Sequence, residues 1–175
     1  ADIRLFDTLK SAADSMRRSA GTHAILRRME DCPKTLVAAI HGSALGGGNE
    51  VAMACHYRVA GADAKLGQPE VLLGLIPGAA GTQRLPRLIG LEAALNIIVS
   101  GNPVAAAKFK GTTLIDEIVE GDLVAAAVAF AEKVVTEKRP LKRVRDLKVR
   151  DPQPDAFLQF AKNTVAATVK NFPAP

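Results

Sequence analysis

Apolar residues along the chain change rhythm several times, and each rhythm predicts an element. Leu5, Leu9, Ala12, Ala13 and Met16, then Ile25, Leu26 and Met29, recur at helical steps, which predicts an N-terminal amphipathic helix. The chain opens directly into this pattern, as though it began inside a longer sequence. After Pro33 the run Leu36, Val37, Ala38, Ala39, Ile40 is unbroken and bounded by Pro and Gly, the form of a strand covered on both faces. Residues 41–48 are dense in glycine and residues 50–55 have helical composition, so strand, tight turn and helix start follow one another. Residues 57–60 and 64–66 read as short strands, 67–70 as a loop, and 74–81 as a second Gly/Pro cluster leading into helices over 82–89 and 91–100. A strand at 114–119 precedes a helix at 123–135 whose predicted inward face carries Val124, Val128, Ala131 and Val135. Residues 138–154, rich in proline and charge, read as a linker or extended arm, and helical spacing returns over 156–172.

Short buried strands alternating with helices predict an α/β fold, and the composition agrees. Of 175 residues 48% are hydrophobic, but only 4% are aromatic and none is Trp, so the core is built from small aliphatic side chains suited to close helix-on-sheet packing. The formal charge of +5 is concentrated. Residues 138–150 hold seven Lys or Arg and one Asp, and the remainder is nearly neutral. No aromatic residue interleaves with that basic run, which argues against a nucleic-acid surface. Cys32 and Cys55 have no CxxC spacing, and His23, His41 and His56 form no ligand motif, so neither a disulfide framework nor a metal is expected. No apolar run reaches the ~20 residues that span a bilayer. A soluble, cytoplasmic protein is the expectation.

The densest chemistry lies at Gly46-Gly47-Gly48-Asn49-Glu50. A helix N-terminus offers unpaired N–H groups and a positive dipole end to a negative oxygen, and glycine lets a ligand approach that backbone. Glu50, about one turn beyond Gly47, can face the same side. Taken alone, the segment is equally well explained as a tight turn whose first helical carboxylate complements the dipole. It is not a phosphate-binding loop, because no Gly-Lys-Ser/Thr follows. Glu70, after Pro69, reads by itself as a solvated loop carboxylate. Ser43 is a tempting nucleophile with no convincing His or Asp partner.

Longer stretches match one family in order and spacing. Residues 34–42 (KTLVAAIHG), 44–50 (ALGGGNE), 66–78 (LGQPEVLLGLIPG) and 81–87 (GTQRLPR) resemble the crotonase superfamily, specifically enoyl-CoA hydratases. The resemblance implies a crotonase-like spiral of ββα units, N-terminally incomplete, with C-terminal helices. Its parts would be a hydratase core at 1–137, a basic linker at 138–154 and a C-terminal helix at 155–175. It further implies an oxyanion hole made by the backbone N–H groups of Gly47 and Ala1. Glu50 and Glu70 would share one water as acid and base on a 2-enoyl thioester of coenzyme A, with no cofactor of the protein's own. Isomerisation of 3-enoyl-CoA through a single glutamate is a second implied activity. A non-catalytic binding or assembly module is the alternative, in which the two glutamates would stand apart. Superfamily members commonly assemble as trimers or pairs of trimers. The stretches 139–148 and 171–175 resemble the exit from the hydratase domain of multifunctional β-oxidation enzymes, which implies a fused chain instead. His56 stands where the family often has Asp, and Ala80 where Gly is common.

Overall fold

A computed structural model describes residues 4, 8–149 and 151–168. Helix α1 (Ala12–Glu30) starts where the Ser11 hydroxyl accepts the Asp14 N–H at 3.1 Å, and closes with Arg27 and Arg28 at its negative dipole end. Its expected apolar face is only partly used: Leu26 is buried, whereas Met16 and Ile25 are exposed.

Two repeats of strand, turn, strand and helix build the centre. The first is β1 (Val37–Ile40), β2 (Ser43–Leu45) and α2 (Gly47–Ala54). The second is β3 (Tyr57–Gly61), β4 (Lys65–Gly67), the 3-10 turn Pro69–Leu73 and α3 (Gly81–Ile89). Each repeat supplies one strand to each of two sheets. β1 pairs with β3 in parallel, with Val37 opposite Tyr57, and β2 pairs with β4 in parallel, with Ser43 opposite Lys65. Parallel pairing requires a crossover between the strands, so the chain winds forward as a spiral. After α4 (Leu91–Ser100), β5 (Val104–Ala105) adds antiparallel to β4, and β6 (Glu117–Val119) extends the first sheet in parallel beside β3. β2 lies inside the stretch expected to be only a glycine turn, and the expected strand at 114–119 is shorter because Leu114 and Ile115 are buried as loop.

All five residues of β3 are buried, as a strand covered on both faces requires. On one side lie Met53, Leu66, Leu85, Leu88, Ile97 and Leu114, and on the other Tyr57 and Val59 meet α5 (Leu123–Thr136). α5 presents Ala127, Phe130 and Val134 to the sheet, while Val124, Val128 and Val135 face outward. This corrects the predicted inward face: the helix is apolar on two sides, and the sheet takes the side carrying its aromatic ring.

Residues 139–147, read from composition as an arm, lie against the core. Val144 is buried, the Tyr57 hydroxyl donates to the Pro140 carbonyl at 2.6 Å, and Lys142 pairs with Asp116 at 2.5 Å. Part of the concentrated positive charge is therefore matched by acidic groups of the body, Lys142 by Asp116 and Arg145 by Asp31. Helix α6 (Pro154–Thr168) follows, and the expected helical stretch beyond residue 168 is outside the described residues. Among the described residues no helix is long and apolar enough to cross a membrane.

Candidate active site

The first turn of α2 carries the site. Gly46 caps the helix with φ +52° and ψ −124°, a conformation essentially reserved to glycine, and its N–H is held by the Gly67 carbonyl at 3.0 Å. That bond ties the start of α2 to the end of β4, three residues before Glu70. A methyl group on Gly46 would lie 2.8 Å from Glu70 Oε1, so the Glu70 carboxylate sits directly over the helix start. Around Gly47 and Gly48 a methyl group would meet nothing within 4 Å. Gly47 is the first helical residue, so helical geometry gives its N–H no partner within α2.

Glu50 points from the same turn into the protein and is 2% exposed as a residue, counting backbone and side chain together. Its Oε1 accepts two main-chain N–H groups, from Ala79 at 2.8 Å and Gly81 at 2.6 Å. The residue between them, Ala80, is left-handed at φ +70°, and this turns the N–H groups on either side of it toward one point as an anion-binding concavity. Glycine at 81 is required by space: a methyl group there would lie 2.8 Å from both Gln68 and Pro77 and 2.9 Å from Glu50 Oε1.

Gln68 stands against the Glu70 carboxylate. It is fully buried, and with its amide nitrogen facing Glu70 it stands 3.1 and 3.2 Å from the two carboxylate oxygens. Its other side abuts Gly81, where Glu50 is held. Burial raises the pKa of both glutamates. For Glu50 the Gly81 and Ala79 N–H groups, Arg84 and His23 oppose that rise, whereas the charge of Glu50 adds to it for Glu70. The electrostatic coupling means that the pair titrates jointly and favours holding one proton between two carboxylates.

Of the expected site residues, Glu50, Glu70 and Gly47 meet at one helix start, and Ala1 lies outside the described residues. Ser43 is exposed on β2, and no His or Asp is hydrogen-bonded to it among the described residues. Two surface clefts, one beside Leu91 and Asn96 and one between Arg87, Thr113 and Leu147, are not lined by Gly47, Glu50 or Glu70. Reading the sequence missed Gln68, Arg84 and Glu30 as parts of the site. Gln68 and Arg84 stood inside the matched stretches, and only their burial gives them a role. His56, where an Asp is common, accepts the Leu36 N–H on Nδ1 at 3.0 Å, which leaves Nε2 to donate to the Glu30 carbonyl at 3.2 Å.

Residues 5–166 match the model of the enoyl-CoA hydratase/isomerase family. A Bacillus subtilis protein named "Probable enoyl-CoA hydratase" is 48% identical over 142 residues, covering 80% of this chain and 55% of that protein. The fatty acid oxidation complex subunit alpha of Shewanella amazonensis is 38% identical over 182 aligned positions, covering all of this chain and 26% of its own length. The chain thus spans about half of the first relative and a quarter of the second. Among solved structures, an enoyl-CoA hydratase from Bacillus anthracis superposes with a TM-score of 0.71 at 36% identity, over 78% of this chain and 53% of that one.

Proposed function

We propose, proceeding from the fact that this chain belongs to the enoyl-CoA hydratase/isomerase family, that its site adds water across the double bond of 2-enoyl-CoA thioesters. The observation that carries this reading is the meeting of two coupled carboxylates at an open glycine helix start. The Gly47 N–H donates to the thioester carbonyl oxygen, and Ala1 supplies the second donor. Polarising that carbonyl makes Cβ electrophilic and stabilises the enolate that forms. An oxyanion donor of this kind contributes about 3–4 kcal/mol at the transition state.

Glu50, whose two N–H donors offset part of the rise that burial imposes, acts as the base and takes a proton from the water whose oxygen bonds to Cβ. Glu70, beside Gln68, holds the other proton and delivers it to Cα. The two transfers sum to one water added, and a proton passing from Glu50 to Glu70 restores the pair. No cofactor of the protein's own enters the reaction. Moving a proton between Cα and Cγ of a 3-enoyl thioester needs only one of the carboxylates, and isomerisation is the secondary activity.

Similarity along the whole chain to a fatty acid oxidation complex subunit supports fatty acyl substrates and a place within a longer multifunctional chain. A chain without such a fusion is proposed to assemble as a trimer or a pair of trimers. Two free cysteines suit a reducing, cytoplasmic setting. The test is loss of the conjugated thioester absorbance with crotonyl-CoA and longer 2-enoyl-CoAs in the full natural chain. Glu50→Gln and Glu70→Gln are each expected to lower turnover about 10²- to 10⁴-fold with thioester binding little changed. Unchanged turnover in either variant removes that glutamate from the mechanism, and thioester binding without any hydration by the unsubstituted chain points to the non-catalytic module.

A further inference from the structure

The loop that grips Glu50 is itself gripped. Ala79 donates its N–H to Glu50 and accepts Arg84 Nη1 on its carbonyl oxygen at 2.8 Å. Arg84 Nε donates to Glu30 Oε1 at 3.1 Å, and both residues are buried, Glu30 being 3% exposed. Glu30 ends α1, and three further residues from two other segments converge on it. His56 and Arg143 donate to its main-chain carbonyl at 3.2 and 3.1 Å, and Arg145 lies 3.9 Å from its other carboxylate oxygen while pairing with the neighbouring Asp31. A buried Arg–Glu pair is weak evidence for stability, because desolvation offsets most of its attraction and an apolar pair of similar volume often serves equally well. What an apolar pair lacks is a planar donor fork and a fixed charge beside the active carboxylate.

We infer that Arg84 and Glu30, anchored by Arg143 and Arg145 of the 139–147 segment, are positioning residues that fix the place and the charge of Glu50. The inference rests on the reading of Glu50 as an acid/base group. The titratable groups facing Glu50 are Arg84 from α3, His23 from α1 and Glu70 across the turn. Arg84 opposes the rise that burial imposes on Glu50, and the guanidinium also holds the loop carrying two of its hydrogen-bond donors. The basic segment thereby acquires a role beyond covering the core.

Two substitutions pull the charge in opposite directions, which simple loosening of the fold would not do. Arg84→Met removes the cation and is expected to raise the titration midpoint of Glu50. Glu30→Gln leaves Arg84 less compensated and is expected to lower it. Arg84→Lys keeps the charge without the fork, so the midpoint stays near that of the unsubstituted protein while kcat falls about 10- to 100-fold with KM little changed. The midpoint is read by carbon-13 NMR of glutamate-labelled full chain, with Glu50→Gln assigning the resonance and a thermal melt confirming folding. Opposite displacements in Arg84→Met and Glu30→Gln support the inference, and midpoints unmoved in the folded variants overturn it. If Arg84→Met does not fold, Glu30→Gln and Arg84→Lys decide by the same measures. The titration needs no turnover, so absent hydration with displaced midpoints rejects the proposed reaction alone, and hydration with fixed midpoints rejects the positioning role alone.

Discussion

Glu50 and Glu70 are the same residue type at the same glycine turn, yet the structure treats them differently. Glu50 is enclosed at the start of α2 and fastened by two main-chain donors from a loop that is locked in turn by Arg84. Glu70 hangs from a 3-10 turn, is only partly buried, touches the neutral amide of Gln68, and is followed by the exposed Leu72, Leu73 and Ile76. A carboxylate aimed at by fixed N–H dipoles is stabilised in its charged form without reorganisation. One facing a neutral amide and another carboxylate is better placed to carry the proton. The contrast shows how two identical side chains acquire different surroundings from the backbone around them.

The sharpest way to break this contrast is at Gly81. Gly81→Ala places a methyl group against Gln68, Pro77 and Glu50 at once, so Glu50 loses its cradle while Glu70 is untouched directly. Hydration of crotonyl-CoA is expected to fall about 100-fold, and a variant retaining full turnover would show that the cradle is not needed. Gly46→Ala tests the Glu70 side. Its positive φ and the 2.8 Å approach to Glu70 predict a loss of about 2 kcal/mol in chemical denaturation. Most of that cost comes from the backbone, because the Glu70 carboxylate can move.

Ala80→Gly works in the opposite direction. The left-handed backbone between the two donors to Glu50 is strained for alanine, and glycine is expected to stabilise the fold by about 0.5–1 kcal/mol with activity retained. A lower denaturation midpoint would mean that the methyl group contributes packing that outweighs the strain. The smallest effect concerns pH. Burial raises the Glu70 pKa, so its proton is bound more tightly in the folded state. The stability from that proton is full below the unfolded carboxyl value and is lost as pH rises through the folded value. Glu70→Gln is therefore expected to be modestly more stable than the unsubstituted chain at neutral pH, the difference closing below about pH 4. Equal unfolding midpoints at both pH values would show that burial imposes no such cost.

Much of the framework was legible in the order of residues. The five-residue apolar run announced β1, the glycine turn announced the start of α2, and the matched stretches put Glu50 and Glu70 in one site because their spacing is tied to that spiral. Local patterns of this kind report on neighbours within a few residues, which is why they fix element types well. They are silent when a segment offers two equivalent choices. α5 carries aliphatic residues on two faces, and only the presence of β1 and β3 selects Phe130 and Val134 over Val128 and Val135 as the buried set.

They are silent also on partners brought together by folding. Arg84 and Glu30 are 54 residues apart, and Arg145 lies 114 residues from Asp31. Residues 139–147 look like a solvated arm because charge normally marks the surface, and nothing local reveals that buried or half-buried acids await them. Sequence alone thus determined the glycine turn and most of the strands, through conformational preference and periodicity, and pointed to the two acid groups through family resemblance. Tertiary structure decided which face is buried, what holds Glu50 in place and how the two glutamates differ, because burial, field and hydrogen-bond partners exist only once distant segments meet.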